Sequence, residues 1–304
     1  MKLLAAAVSA IALVVPAGWE TRAPLPLPRA EVAATVLKGE IVLAGGFLAD
    51  GSTSSAVSAY APGSDRWRSL PDLPVAVNHA MAAAAAGRLY VLGGYAADGS
   101  VQRSAWVLDA GRWRALPSLP IGRAAAGAAV VGGKLYVAGG VAATPAGGRA
   151  LAKAMLVFDL DRRRWSAVNG PTPREHLAVT SASGTLFVLG GRLGGIDSNL
   201  GLLESYRAGR GWRRLPAVPY PRGGTGAAAI GGRIVSVGGE EPAGTIASVY
   251  AYDIARARWS RLPDLPTPRH GLGVAAVGGR VYVIGGGTVP GLSVSSANEA
   301  LDLD

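Results

Sequence analysis

The chain has 304 residues, 49% of them hydrophobic, with 30 lysines and arginines against 20 acids and no cysteine. That length supports an ample core without covalent staples, and the lack of cysteine excludes disulfides, thiolate metal sites and a cysteine nucleophile. The net charge of +10 would suit phosphate binding if it were gathered into one stripe, but the arginines run along the whole chain, so specific nucleic-acid binding is not expected.

Met1-Lys2 leads into a thirteen-residue apolar stretch, Leu3 to Val15. It is too short to cross a bilayer as a helix. Val15-Pro16-Ala17 offers small residues at the two positions a signal peptidase reads, which predicts a signal peptide over 1–17, cleavage after Ala17, and a periplasmic or secreted mature chain of residues 18–304. No later apolar run reaches spanning length, so no membrane span is expected. Gly18-Trp19-Glu20-Thr21-Arg22 then reads as a short strand around a tryptophan.

Beyond it, a Gly-Gly pair closing a short apolar run recurs at Gly45, Gly93, Gly139, Gly190, Gly238 and Gly285, at intervals of 48, 46, 51, 48 and 47 residues. A fixed period in the forties marks a repeat architecture. About twenty residues after each of the first five doublets stands a tryptophan: Trp67, Trp113, Trp165, Trp212 and Trp259. An aromatic precedes each of these by six or seven positions: Tyr60, Trp106, Phe158, Tyr206 and Tyr252. Sixteen residues before a doublet stands an arginine (Arg29, Arg123, Arg174, Arg222, Arg269), except in the second unit, which has Val77.

Within that second unit the Ala-rich run 80–86, a turn at Gly87, and Leu89 to Leu92 predict two strands; Ala105 to Leu108 and Trp113 to Leu116 predict two more, the last broken by Pro117. Four antiparallel strands repeated six times bury both sheet faces only by stacking around an axis, so the expected fold is an all-β, six-bladed β-propeller. The glycines let one blade approach the next closely, and each tryptophan fills the space between blades.

Gly-Gly, then an aromatic, then Trp, with Pro-Arg at Pro28-Arg29, Pro173-Arg174, Pro221-Arg222 and Pro268-Arg269, resembles the Kelch repeat over the whole chain after about residue 18. The resemblance implies that each Trp strand is outermost, so the arginines beside it, from Arg22 to Arg261, ring the perimeter and discourage edge-to-edge aggregation. The sixth doublet is followed only by Ala300-Leu301-Asp302, without a Trp strand. The N-terminal Trp19 strand is therefore expected to complete the last blade, in a monomer.

In Kelch propellers ligands meet one face, built by the residues just after the strand-start Arg, the residue after the doublet, and the next loop. Carried onto this sequence, these positions are Glu31, Asn78, His79, Glu175, His176 and His270, then Phe47, Tyr95, Arg192 and Glu240, with Arg174 beside them. All three histidines of the chain fall here, either as structural hydrogen bonders between blades or as ligand contacts. A three-histidine metal site is disfavoured, because blades two, four and six stand about 120° apart and bonds near 2 Å would require convergence on the axis; no metal or cofactor is expected. The strand-start arginines either give the mouth an excess of positive charge for anionic or polyhydroxylated ligands, or brace adjacent blades through backbone carbonyls. Phe47 and Tyr95 could present an apolar platform to a sugar, and the loops 141–154 and 192–201 vary most.

Lack of cysteine excludes copper radical chemistry of the galactose oxidase kind. Resemblance to bacterial N-acetylneuraminate epimerases gives an alternative, a sugar mutarotase or epimerase with Glu175 and His176 moving a proton, but units of 46 to 51 residues leave no room for the inserted segments those enzymes carry. The leading expectation is an exported, non-catalytic module that presents loops on a rigid ring to a protein or glycan.

Overall fold

In a computed structural model, residues 18–303 are described, so the signal peptide expected over 1–17 lies outside the described residues. Those residues hold no helix, and none that could cross a membrane. The second unit forms Met81–Ala85, Arg88–Leu92, Ala105–Asp109 and Arg112–Ala115, an antiparallel meander in chain order, with turns at Gly87 and Gly111 as the glycine spacing predicts. Six such four-stranded sheets are present, and their first strands neighbour one another in a closed circuit.

Residue size follows depth. Strands nearest the axis, such as Met81–Ala85 (MAAAA) and Gly226–Ile230 (GAAAI), carry small residues because six of them crowd together. A Cβ on Gly226 would stand 2.2 Å from Val274 of the next sheet. The second strands, such as Arg88–Leu92, are buried along four of five residues because they have a sheet on each side. Outermost strands such as Arg66–Leu70 alternate exposed arginine with half-buried tryptophan. The core is accordingly divided into six clusters, each shared by two neighbouring sheets.

Closure is made by the N-terminal strand. Trp19–Thr21 pairs antiparallel with Asn298–Asp302 in the register Trp19↔Leu301, Glu20↔Ala300, Thr21↔Glu299, forming the outer strand of the sheet that contains Gly273–Val277 and Arg280–Ile284.

The repeated residues join sheet to sheet. In every unit the second glycine's N–H donates to the carbonyl of the next unit's strand-start residue, from Gly46 to Val77 O at 2.8 Å round to Gly286 to Arg29 O at 2.8 Å. The approach demands glycine: at Gly93, with φ 55°, a Cβ would collide with the Arg123 carbonyl of the next unit. Each of the six tryptophans on the outermost strands donates Nε1–H to a backbone carbonyl on the preceding sheet's side, as Trp113 does to Pro71 O at 2.8 Å and Trp19 to Pro263 O at 3.0 Å.

The strand-start arginines form neither the charged mouth nor the blade-to-blade braces that the sequence suggests. All five are at most 1% exposed. Their sixteen-residue spacing from the doublet is a hydrogen bond within one blade, to the first glycine's carbonyl: Arg123 Nη1 to Gly139 O at 2.8 Å, Arg269 Nε to Gly285 O at 2.7 Å. Arg174 and Arg269 also reach buried carboxylates, Glu204 and Glu299, thirty residues on. Arg29, Arg123 and Arg222 have only carbonyls and hydroxyls as hydrogen-bond acceptors, and burial draws their guanidiniums down to about 10, still charged at neutral pH.

Two stability measurements test this account. Gly93→Ala and Gly111→Ala both place alanine at positive φ, but only the first meets a neighbouring unit, at the Arg123 carbonyl. Chemical denaturation should find Gly111→Ala costing about 1 kcal/mol and Gly93→Ala roughly 2 kcal/mol more. Glu299→Ala, which strands the Arg269 guanidinium, should cost about 3 kcal/mol or more by the same assay.

Candidate functional site

The residue two places after each strand start lies in the left-handed region in all six units: Glu31 (φ 53°), His79 (52°), Ala125 (50°), His176 (52°), Gly224 (67°) and Gly271 (58°). Their peptides bond head to tail. His79 N–H donates to Glu31 O at 3.0 Å, Ala125 to His79 at 3.0 Å, His176 to Ala125, Gly224 to His176 and Gly271 to Gly224 each at 2.9 Å, and Val32 to Gly271 O closes the circuit at 3.4 Å. This circle of amides surrounds the axis and aims whatever side chains it carries at one point.

Three of the six carry chemistry, and they meet. His79 Nε2 lies 3.0 Å from His176 Nε2 and 3.2 Å from Glu31 Oε2. The sequence argument that residues two blades apart cannot converge is thus corrected for His79 and His176: single hydrogen bonds link neighbouring units here, and imidazoles reach across so narrow a circle. His270, one place outside it, points Nδ1 at Glu31 Oε1 (3.3 Å) and Glu240 Oε1 (3.7 Å) and Nε2 at Val289 O (3.1 Å). Arg192 bridges Glu175 Oε1 (3.2 Å) and Glu240 Oε1 (2.8 Å).

The electrostatics follow from these contacts. Burial alone would raise the Glu31 carboxyl, but the imidazoles of His79, His270 and His176 outweigh it and hold Glu31 below the usual carboxylate range. Burial pushes His79 down to about 4 against the opposing pull of Glu31, so it is neutral at pH 7. For His270 burial is outweighed by Glu31 and Glu240, and its imidazole is raised, consistent with acceptors facing both ring nitrogens. Glu175 is lowered, burial being offset by His176 and Arg192.

The His79 tautomer is set by Asn78. Thr53 Oγ1 accepts from Asn78 Nδ2 at 2.9 Å, which turns Asn78 Oδ1 toward His79 Nδ1 at 2.7 Å. The proton of neutral His79 therefore resides on Nδ1, and Nε2 offers a lone pair toward the axis. Phe47 and Tyr95 hold the ring by edge contacts, with centroids 5.7 and 5.4 Å away.

Above the circle is a cavity of about 260 Å³ lined by Glu31, Phe47, His79, His176, Arg192, Glu240, His270 and, from the loop 287–297, Gly291, Leu292 and Ser293. Gly291 N–H donates to Glu240 Oε2 at 2.9 Å and draws that loop over the mouth.

A family description for the KLHDC2/KLHL20/DRC7 Kelch-repeats domain matches residues 17–191 and again 125–301. The chain belongs to the Kelch-repeat family. Its similarity to the F-box/kelch-repeat protein SKIP30 of Arabidopsis thaliana is 46% identity over 55 residues, 18% of this chain, and spans only 16% of that protein. Kelch repeats of this kind build protein-interaction propellers.

Of the positions drawn from the Kelch resemblance, the structure brings Glu31, Phe47, His79, His176, Arg192, Glu240 and His270 to one cavity, with Glu175, Asn78 and Tyr95 directly behind them. Arg174 is the exception: fully buried and bound to Gly190 O and Glu204, it does not reach the mouth. With the strand-start arginines withdrawn, the mouth's carboxylates Glu31, Glu175 and Glu240 face the single guanidinium of Arg192, so the expected excess of positive charge is absent. Tyr95 is no bare sugar platform either, since Arg149 from the loop 141–154 stacks on its ring at 4.7 Å. The repeat pattern does not point to Gly291, Leu292 and Ser293; the one signal for them is a glycine flanked by apolar residues in a loop after the doublet.

Asn78→Ala should release the His79 tautomer. In ¹⁵N-labelled protein at neutral pH, wild-type His79 should show the Nδ1–H form, and the variant should shift toward the Nε2–H form.

Proposed function

We propose that this Kelch ring is an exported, monomeric interaction module that receives a polar group of a protein partner in its axial mouth. The observation that carries the reading is the cavity of about 260 Å³, polar at its floor and apolar at its rim. Leu193, Val289 and Leu292 are 54%, 56% and 57% exposed, the largest such values among the described large apolar residues. A partner segment laid on these loops would bury apolar surface while one side chain or chain end enters the pocket, an arrangement that places a hot spot at the centre of a contact. Export rests on the sequence of residues 1–17, and Trp19–Thr21 begins just past the expected cleavage point.

A second reading is favoured by the convergence of Glu31, Glu175, Glu240 and three histidines from different blades: the same pocket could hold a sugar and move a proton on it. One set of measurements separates the two. Cross-linked capture from an exported fraction, with mass-spectrometric identification, should retain a partner with wild type and with the perimeter control Val168→Asp, and lose it with Leu193→Asp and Leu292→Asp. Intact mass should begin at Gly18. Capture that survives both leucine variants, or a uronic or sialic acid that raises the melting temperature of wild type but not of Glu175→Gln, would overturn the interaction reading.

A further inference from the structure

We propose that Glu31, His79 and His176 form a binding site for a divalent first-row transition ion on the propeller axis. The three ligand atoms lie within 4.8 Å of one another, and the measured separations, 3.0 Å between the two imidazole nitrogens and 3.2 Å from His79 Nε2 to Glu31 Oε2, are those of adjacent ligands on one ion with bonds of about 2.0–2.2 Å. This inference does not depend on which partner the mouth receives.

The arrangement offers an ion a ready set of lone pairs. Asn78 fixes the proton of His79 on Nδ1, so its Nε2 lone pair faces a carboxylate oxygen on one side and a second imidazole nitrogen on the other. Such a gathering is relieved by a proton, as in an N–H···N bond from His176 to His79, or by a metal ion in its place. Behind His176, Glu175 Oε1 lies 3.2 Å from Nδ1 without forming a hydrogen bond to it, close enough that a small turn of the ring would pair them as in a carboxylate–histidine–metal arrangement. Charge points the same way: three carboxylates, Glu31, Glu175 and Glu240, face one guanidinium, Arg192, which the last two already engage, and one imidazole, His270, that Glu31 and Glu240 share.

Backbone geometry supplies the preorganisation. All three ligands sit on the hydrogen-bonded circle in the same left-handed conformation, and Ala125, between His79 and His176, adds no bulk. Two imidazoles and one carboxylate suit zinc or ferrous iron and are a poor match to magnesium or calcium, which take oxygen ligands. The three residues are only partly buried and line the mouth cavity, so the remaining coordination positions open toward whatever enters there.

The test uses the full exported ring stripped with chelator and titrated calorimetrically with zinc alone, then with cobalt(II) read by its visible spectrum. Wild type should take one equivalent. His176→Ala and Glu31→Gln should weaken binding by about a hundredfold, and Asn78→Ala, which frees His79 without removing a ligand, by about tenfold. Metal-free melting curves establish that each variant is folded, and Glu31→Gln, nearly isosteric, serves if the alanine variant fails to fold. A folded wild-type ring that takes up no zinc, or uptake that the folded variants leave unchanged, would overturn the proposal.

Discussion

Everything at the axis depends on the circle of six peptides in which each unit's N–H donates to the previous unit's carbonyl. The circle exists only if each residue adopts positive φ, which is free for Gly224 and Gly271 and costs roughly 1 kcal/mol or more at Glu31, His79, Ala125 and His176. Strain of that kind persists only where surrounding structure over-determines it. Here the tryptophan and Gly-Gly hydrogen bonds fix the angle between blades, and the strained residues have no freedom to relax. Three of the four carry imidazole or carboxylate, so the backbone cost is concentrated at the chemistry.

The same stacking explains the division of labour among arginines. Inside five of the six blades a guanidinium ties the strand start to the doublet glycine, and in the first and third units also to a carbonyl at the third strand's entry. A planar fork with several donors suits that task better than lysine would. Two units add a buried carboxylate; in the second, Val77 fills the place with apolar volume in the cluster shared by the first two sheets. The arginines on the outer strands stand in water, where pairs such as Arg68 with Glu40 contribute little to stability.

Features that repeat were legible in the sequence, because each recurs for a local reason: glycine where a Cβ would strike the next blade, tryptophan where an indole spans two sheets, small residues beside the axis. The N-terminal strand's place beside Asn298–Asp302 was legible too, since one strand lacked a sheet and one sheet lacked a strand. What could not be read was distance across the axis. Sequence gives the angular order of His79 and His176 but not the radius at which they stand, and that radius is set by the amide circle, which leaves no residue signature beyond tolerance of positive φ. The arginines misled for a related reason: a charged residue at a strand start reads as exposed until the carbonyls that receive it are seen. Leu292 belongs to a loop whose path is set by a backbone contact to Glu240, which no pattern announces.

Closure through three residue pairs also has a mechanical side. Trp19 lies opposite Leu301, so residues 18 and 303 emerge at the same end of the ladder. Tension applied between them therefore loads one pair at a time and peels the strand away, where strands pulled from opposite ends would resist in shear with all pairs sharing the load. The ring is thus strongest against forces that spread its blades and weakest against a pull on its own two ends.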